Sequence, residues 1–158
     1  MTAEPSDDAA VRYRAGAAGD VAAVLDLWRR AGAHPTRTDS EPDLTRLLQH
    51  DEPALLVAEW EGRVIGSLIA GWNGWRGSLY RIAVDPALRH RGIGTELVRR
   101  AVELLRARGA RRIDAFVVAA DADAVAFWDR LTALGVERDS PKLRYVVEPA
   151  GEPGGSPA

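Results

Sequence analysis

The 158-residue chain contains no cysteine. That absence excludes a disulfide framework, a thiol nucleophile and a cysteine-ligated metal. His34, His50 and His90 are its only histidines, and they do not form the spacing a metal ion needs. No apolar run approaches the roughly 18 residues of a membrane span, and Met1 to Asp8 lacks the basic and apolar regions of a signal peptide. A cytoplasmic location is expected. Charge of one sign is also lacking, because 21 Lys and Arg stand against 23 Asp and Glu, for a net charge of -2. Nothing in that balance draws the chain to nucleic acid or to an anionic membrane, so any anion site must be local.

With 46% hydrophobic and 28% charged residues, the chain can build one core. Residues 1–9 and 149–158 are poor in bulky apolar side chains and are expected to be disordered tails around a folded domain at 10–148. Within the domain, Val11 to Arg14 reads as a strand, and Asp20 as the cap of a helix whose apolar positions Val21, Val24, Leu25 and Trp28 recur at helical spacing. A polar loop then leads to a short helix at Asp43 to Gln49. Ala54 to Trp60 and Arg63 to Ala70 are strands joined by Glu61 and Gly62, the length and chemistry of a tight hairpin.

Ser78 to Val84, "SLYRIAV", is a further strand, stopped by Asp85 and Pro86. After "RHRGIG" at 89–94, a helix carries Leu97, Val98, Ala101, Leu104 and Leu105 on one face and stops at Gly109. Ile113 to Ala119 reads as a strand covered on both faces. A helix from Asp123 to about Ala133 and a closing strand Leu143 to Val147 complete an α/β domain.

The segment "RHRGIG" leaves a strand and opens a helix, where unpaired backbone N–H groups and the positive end of the helix dipole converge. Gly92 and Gly94 permit close backbone approach, and Arg89 and Arg91 add charge-assisted donors, so the segment suits a phosphate. It is neither the dinucleotide pattern Gly-x-Gly-x-x-Gly nor a Walker A loop. Residues 89–112 hold eight arginines against Glu96 and Glu103, much of it read as a solvated helix face. No interleaved exposed aromatics support a nucleic-acid face there.

The pattern Arg/Gln-x-x-Gly-x-Gly/Ala is filled by Arg89, Gly92 and Gly94, after the strand "IAV" and Asp85-Pro86. The helix "ADAVAFWDRL" and the elements between follow in order. On these motifs the chain, over about residues 10–148, resembles the GNAT superfamily of N-acetyltransferases, and in particular its small bacterial members. The resemblance implies an α/β fold with a mixed, mostly antiparallel central sheet of about six to seven strands and helices on both faces. It implies acetyl-CoA as co-substrate, no metal, and acetyl transfer to a primary amine by direct attack.

The same resemblance implies cofactor-binding roles. The main chains of Ile82, Ala83 and Val84 would pair with the pantetheine arm, and a strand N–H would stabilise the oxyanion. His90, Arg91, Gly92, Ile93, Gly94 and Thr95, anchored by Arg89, would hold the pyrophosphate. Asp121, Ala124, Phe127 and Trp128 fall on the family's helix motif. There the family often has a tyrosine that protonates the departing thiolate, and Trp128 cannot do this. The strand also lacks the carboxylate many members use as general base.

Tyr80 is the catalytic candidate, with Glu59, His34 and a water chain as alternatives. Asp39 and Glu41 can attract a cationic amine, and Trp60, Trp72 and Trp75 are expected to cluster at the core or rim, the alternative being a ligand platform for an acceptor with an apolar or flat portion. The acceptor is expected to be a small molecule or a peptide amine, with no nucleic-acid or membrane partner; a homodimer stays open. The alternative function is a non-catalytic acyl-CoA-binding sensor or interaction domain of the same fold.

Overall fold

A computed structural model describes residues 10–147. The two expected tails and residue 148 lie outside the described residues. Five strands, β1 Arg12–Ala15, β2 Leu55–Trp60, β3 Arg63–Trp72, β4 Gly77–Val84 and β5 Ile113–Ala115, form one sheet in chain order. The first three pairings are antiparallel, and β4 with β5 is parallel. The β2–β3 hairpin forms where Glu61 and Gly62 stand between two apolar runs. Both residues adopt left-handed backbone, with φ of 50° and 75°, which a two-residue turn matching the strand twist requires.

Two layers of helices cover the sheet. On one face lie α1 (Val21–Arg30) and α2 (Glu41–His50), whose Val24, Leu27, Trp28 and Leu44 meet Leu55, Val57 and Ala83. The Trp28 indole N–H donates to Ser67 Oγ at 2.9 Å, satisfying the buried hydroxyl. Against the other face packs α3 (Ile93–Ala107), with Leu97, Val98, Ala101 and Leu105 fully buried against Leu68 and Ala70. Each of the larger aliphatic chains among them contributes about 1.5–3 kcal/mol by burial. Phe127 and Trp128 of α4 (Ala122–Asp129) join this second layer.

In the extent of its strands and helices the structure departs from the sequence reading chiefly in four places. The sheet has five strands among the described residues, not six to seven. The Ile113–Ala119 segment is a strand only to Ala115, because β4 offers it three partners, Gly77, Ser78 and Leu79. It lies at the sheet edge, and Phe116 and Val118 are exposed instead of covered on both faces. Residues 143–147 form no strand; Leu143, Tyr145, Val146 and Val147 are exposed. Finally, the helix expected at 123–133 breaks at Arg130 into α4 and a 3-10 turn, Leu131–Leu134.

Asp20 precedes α1 without capping it through its side chain. Its carboxylate is taken instead by Arg14, at 2.7 and 2.9 Å, and by the Ala17 N–H at 2.8 Å.

Candidate active site

Strand β4 is irregular at its centre. Ile69 pairs with Tyr80 and Ser67 with Ala83, so Arg81 and Ile82 together oppose Leu68 alone. Such a bulge bends the strand and leaves backbone groups outside the ladder. Arg81 absorbs the distortion with φ of 54°. On its other side, β4 is paired with β5 only from Gly77 to Leu79. From Tyr80 to Val84 that edge has no strand partner among the described residues. The main chains of Ile82, Ala83 and Val84 therefore lie on a sheet edge that no described strand pairs with.

At the end of β4, Asp85 accepts hydrogen bonds from the Ala87 N–H at 3.0 Å and from Arg30 at 2.7 Å, fixing the 3-10 turn Pro86–Leu88 to α1. These two donors, Arg30 first, hold the Asp85 carboxyl below the usual carboxylate range. Arg89 donates to the Ala31 carbonyl at 3.0 Å. Its guanidinium thus ties the loop to the end of α1, an anchoring position and not one aimed at the loop's concave side. His90 and Gly92 follow in left-handed backbone, φ 64° and 79°.

Gly92 is the N-cap of α3 and supplies no capping side chain, so the first-turn N–H groups of Ile93, Gly94 and Thr95 have no side-chain acceptor among the described residues. Nothing lies within 4 Å of where a Cβ on Gly92 would stand. Arg91 is exposed beside this end and makes no ion pair among the described residues. An uncapped end of a 15-residue helix, open in front, suits an anion, and the one acid of its first turn, Glu96, is itself paired with Arg99 and Arg100.

The far wall comes from α4. Asp121 caps it by accepting from the Ala124 N–H at 3.0 Å. The helix places Phe127 against Gly94 and sets Trp128 edge-on to Phe127, with ring centroids 5.6 Å apart. The expected cofactor-binding residues on "RHRGIG" and on α4 are thereby brought together around one end of α3.

The proposed acid–base groups separate. Tyr80 shares the sheet face of Ile69 with α1, is 51% exposed, and lays its ring over Gly71. Glu59 is bound by Arg14 at 2.8 Å on the β1–β2 ladder, away from the β4 bulge. His34 is exposed, and its carbonyl accepts from Arg81 at 2.8 Å.

Arg81 is the functional candidate that the sequence reading missed. Its guanidinium binds both carboxylate oxygens of Asp39, reaches Thr36 Oγ1 at 3.2 Å, and lies over the Trp28 ring at 5.3 Å. It clamps the α1–α2 loop over the bulge, and Asp39 is no longer free to attract an amine. The sole sequence signal was one charged residue within an otherwise apolar strand end, "RIAV". The expected tryptophan cluster forms only in part: Trp60, paired with Arg63, and Trp72, paired with Gly77, pack on the core from opposite ends of β3, and Trp75 shares an exposed groove with Trp72.

Among the described residues there is no group of three or more His, Asp or Glu able to hold a metal, and no helix long and apolar enough to cross a membrane.

Comparison with known proteins agrees with this geometry. Residues 21–132 match the family described as "Acetyltransferase (GNAT) family". An acetyltransferase of Pectobacterium atrosepticum is 42% identical over 106 residues, covering 67% of this chain and 74% of that protein. Among solved structures, an aminoglycoside N-acetyltransferase in complex with CoA superposes with a TM-score of 0.73 at 20% identity, covering 91% of this chain and 99% of the other. A GNAT acetyltransferase from Brucella melitensis in complex with acetyl-CoA gives 0.55 at 22% identity, covering 72% and 80%.

Proposed function

We propose that this chain, which belongs to the acetyltransferase (GNAT) family, moves an acetyl group from acetyl-CoA to a primary amine by direct attack on the thioester. Its class, N-acetyltransferase, rests on family membership and on relatives named as acetyltransferases. The observation that carries the finer reading is the open, uncapped start of α3 directly behind Gly92. Acetyl-CoA supplies the activated acyl group and two linked phosphates that need such a cradle. It is a co-substrate made available inside the cell, which supports a cytoplasmic location.

In this reading the N–H groups from His90 to Thr95 take the pyrophosphate, with Arg91 adding charge and Arg89 holding the loop in place. Ile82, Ala83 and Val84 use their main chains on the unpaired edge of β4 to orient the pantetheine arm. A backbone N–H released by the bulge stabilises the oxyanion as the amine attacks. Phe127 and Trp128, with Asp121 and Ala124 setting their helix, close the wall and exclude water.

The amine must reach the thioester uncharged, although an alkyl ammonium has a reference pKa of about 10.4. Tyr80, exposed just before the bulge, is the group we assign to take that proton, acting as its phenolate, directly or through water. Trp128 has no proton to offer the departing thiolate. A thiol with a reference pKa near about 8.5 is a leaving group that water can serve.

The second reading, a non-catalytic acyl-CoA-binding domain, is favoured by one observation. The bulge presents Arg81, already saturated by Asp39, where a base would serve best. The experiment that separates the two is thiol release from acetyl-CoA against a panel of small-molecule and peptide amines. Amine-dependent release supports the transferase; binding without release from any amine supports the sensor.

A further inference from the structure

We propose that the groove at the C-terminal end of α3 is a second ligand site, one that takes a free nucleotide: a planar heterocycle carrying phosphate. The groove is shallow and open to solvent, spans about 570 Å³ and is lined chiefly by Trp72, Trp75, Arg76, Arg108, Arg111 and Arg112. That volume lies within the range of small-molecule sites, about 300–1,000 Å³. It opens at the Gly77 end of β4, whereas the candidate active site lies at the Val84 end. The 15 residues of α3 hold the two apart, at about 1.5 Å per residue.

The groove is built, not incidental. Gly74 turns with φ of 87°, and Asn73 Oδ1 accepts from the N–H groups of both Trp75 and Arg76, at 2.9 and 2.8 Å. This turn holds Trp75 out at 68% exposure, where its ring gains nothing from core burial. Arg76 covers one face of that ring, with Cζ 3.9 Å from its centroid, and Trp75 still stays largely exposed. Trp72, half-buried on the core, forms the floor.

Charge selects the ligand's sign. Arg108 is fixed by both oxygens of Asp51 at 2.8 Å. Arg112 meets Asp139 only at 3.3 Å, with both side chains more than half exposed. Arg111 has no ion pair among the described residues. Four guanidinium groups against two carboxylates leave the groove positive in a chain of net charge -2, outweighing the roughly half negative charge of the α3 C-terminus.

A bare phosphate would leave the exposed indole unused, and an apolar ligand would leave the arginines unused. A heterocycle stacked on Trp75 with its phosphate among Arg111 and Arg112 uses both, by the stacking and charge-assisted bonding general to aromatic–arginine nucleotide sites. The sequence reading found no aromatics between the arginines of 89–112. The fold supplies them from the β3–β4 turn.

The test is titration calorimetry with adenosine monophosphate on protein saturated with CoA, so that the candidate active site is occupied. The proposal expects one saturable site, weakened about tenfold or more in Trp75→Ala and in Arg111→Glu, with acetyl-CoA affinity unchanged in both. Inorganic phosphate should bind more weakly than the nucleotide.

Absence of saturable binding at millimolar nucleotide, or binding unaffected by either substitution, would overturn the proposal. So would inorganic phosphate binding as tightly as the nucleotide. A short single-stranded oligonucleotide that binds far more tightly than the monophosphate would replace the free nucleotide with a polymer. Both variants are exposed substitutions, and circular dichroism is the check on their folding.

Discussion

The ring of Phe127 is pressed against Gly94: a Cβ at residue 94 would meet Phe127 Cε2 at 3.0 Å and Cζ at 3.2 Å. Two residues 33 positions apart thus set how closely α4 approaches the start of α3. The absence of a side chain at 94 does two jobs, giving a ligand access to the backbone and giving Phe127 a seat.

Gly94→Ala is expected to push Phe127 outward, costing about 1–3 kcal/mol of stability by overpacking. It should also weaken acetyl-CoA binding. Adding Phe127→Leu should recover part of the stability, because the smaller side chain makes room. Thermal unfolding of the single and double variants checks this; equal losses in both would show that the contact is not the cause.

Arg81 is the only link described from β4 to Asp39, His34 and Thr36 of the α1–α2 loop. Arg81→Ala leaves the half-buried Asp39 carboxylate without its partner and should cost about 1–3 kcal/mol. In the proposed function the amine enters beside this loop, so KM for the amine should rise while acetyl-CoA affinity stays near that of the parent. Steady-state kinetics with each substrate varied in turn separates the two effects.

Tyr80→Phe keeps the ring over Gly71 and removes only the hydroxyl. If that hydroxyl handles the amine's proton, kcat should fall by about 10²-fold or more, the usual worth of general acid–base assistance, with little change in stability. The pH–rate profile should lose its dependence on the group. An unchanged profile would assign the proton to water.

Glu96, in the first turn of α3, is drawn down to about 2 from an ordinary 4.5, chiefly by the Arg99 hydrogen bond at 2.6 Å and also by Arg100 at 2.8 Å. A carboxylate whose folded-state pKa lies below its unfolded one stabilises the fold fully above the unfolded value. That contribution fades as pH falls from about 4.5 towards about 2. Asp20, held down by Arg14, acts in the same direction. The melting temperature should drop across this window, and less steeply in Glu96→Gln, as followed by circular dichroism.

Most of the candidate site was legible because it is written locally. Glycine at 92 announces left-handed backbone, and the apolar spacing of Leu97, Val98, Ala101 and Leu105 announces the helix behind it. What escaped depends on partners distant in sequence. Nothing in "SLYRIAV" says that an arginine will take a positive φ, because bulges there are decided by the register of β3 against β4. The run from Ile113 to Ala119 is apolar enough for a buried strand, but β4 gives it only three residues of partner, so its second half is left exposed. Residues 143–147 alternate suitably and find no strand edge to join. Phe127 was assigned through the helix motif, yet its contact with Gly94 is visible only in three dimensions.

The central claim is that the loop at 89–94 and the open end of α3 hold the phosphates of acetyl-CoA. It is tested most directly by titrating acetyl-CoA into the parent protein and Gly92→Trp, whose side chain would enter the open space before the helix. The account predicts a single saturable site in the parent that the folded variant loses. Undiminished binding in a folded Gly92→Trp, or no binding by the parent, would contradict it.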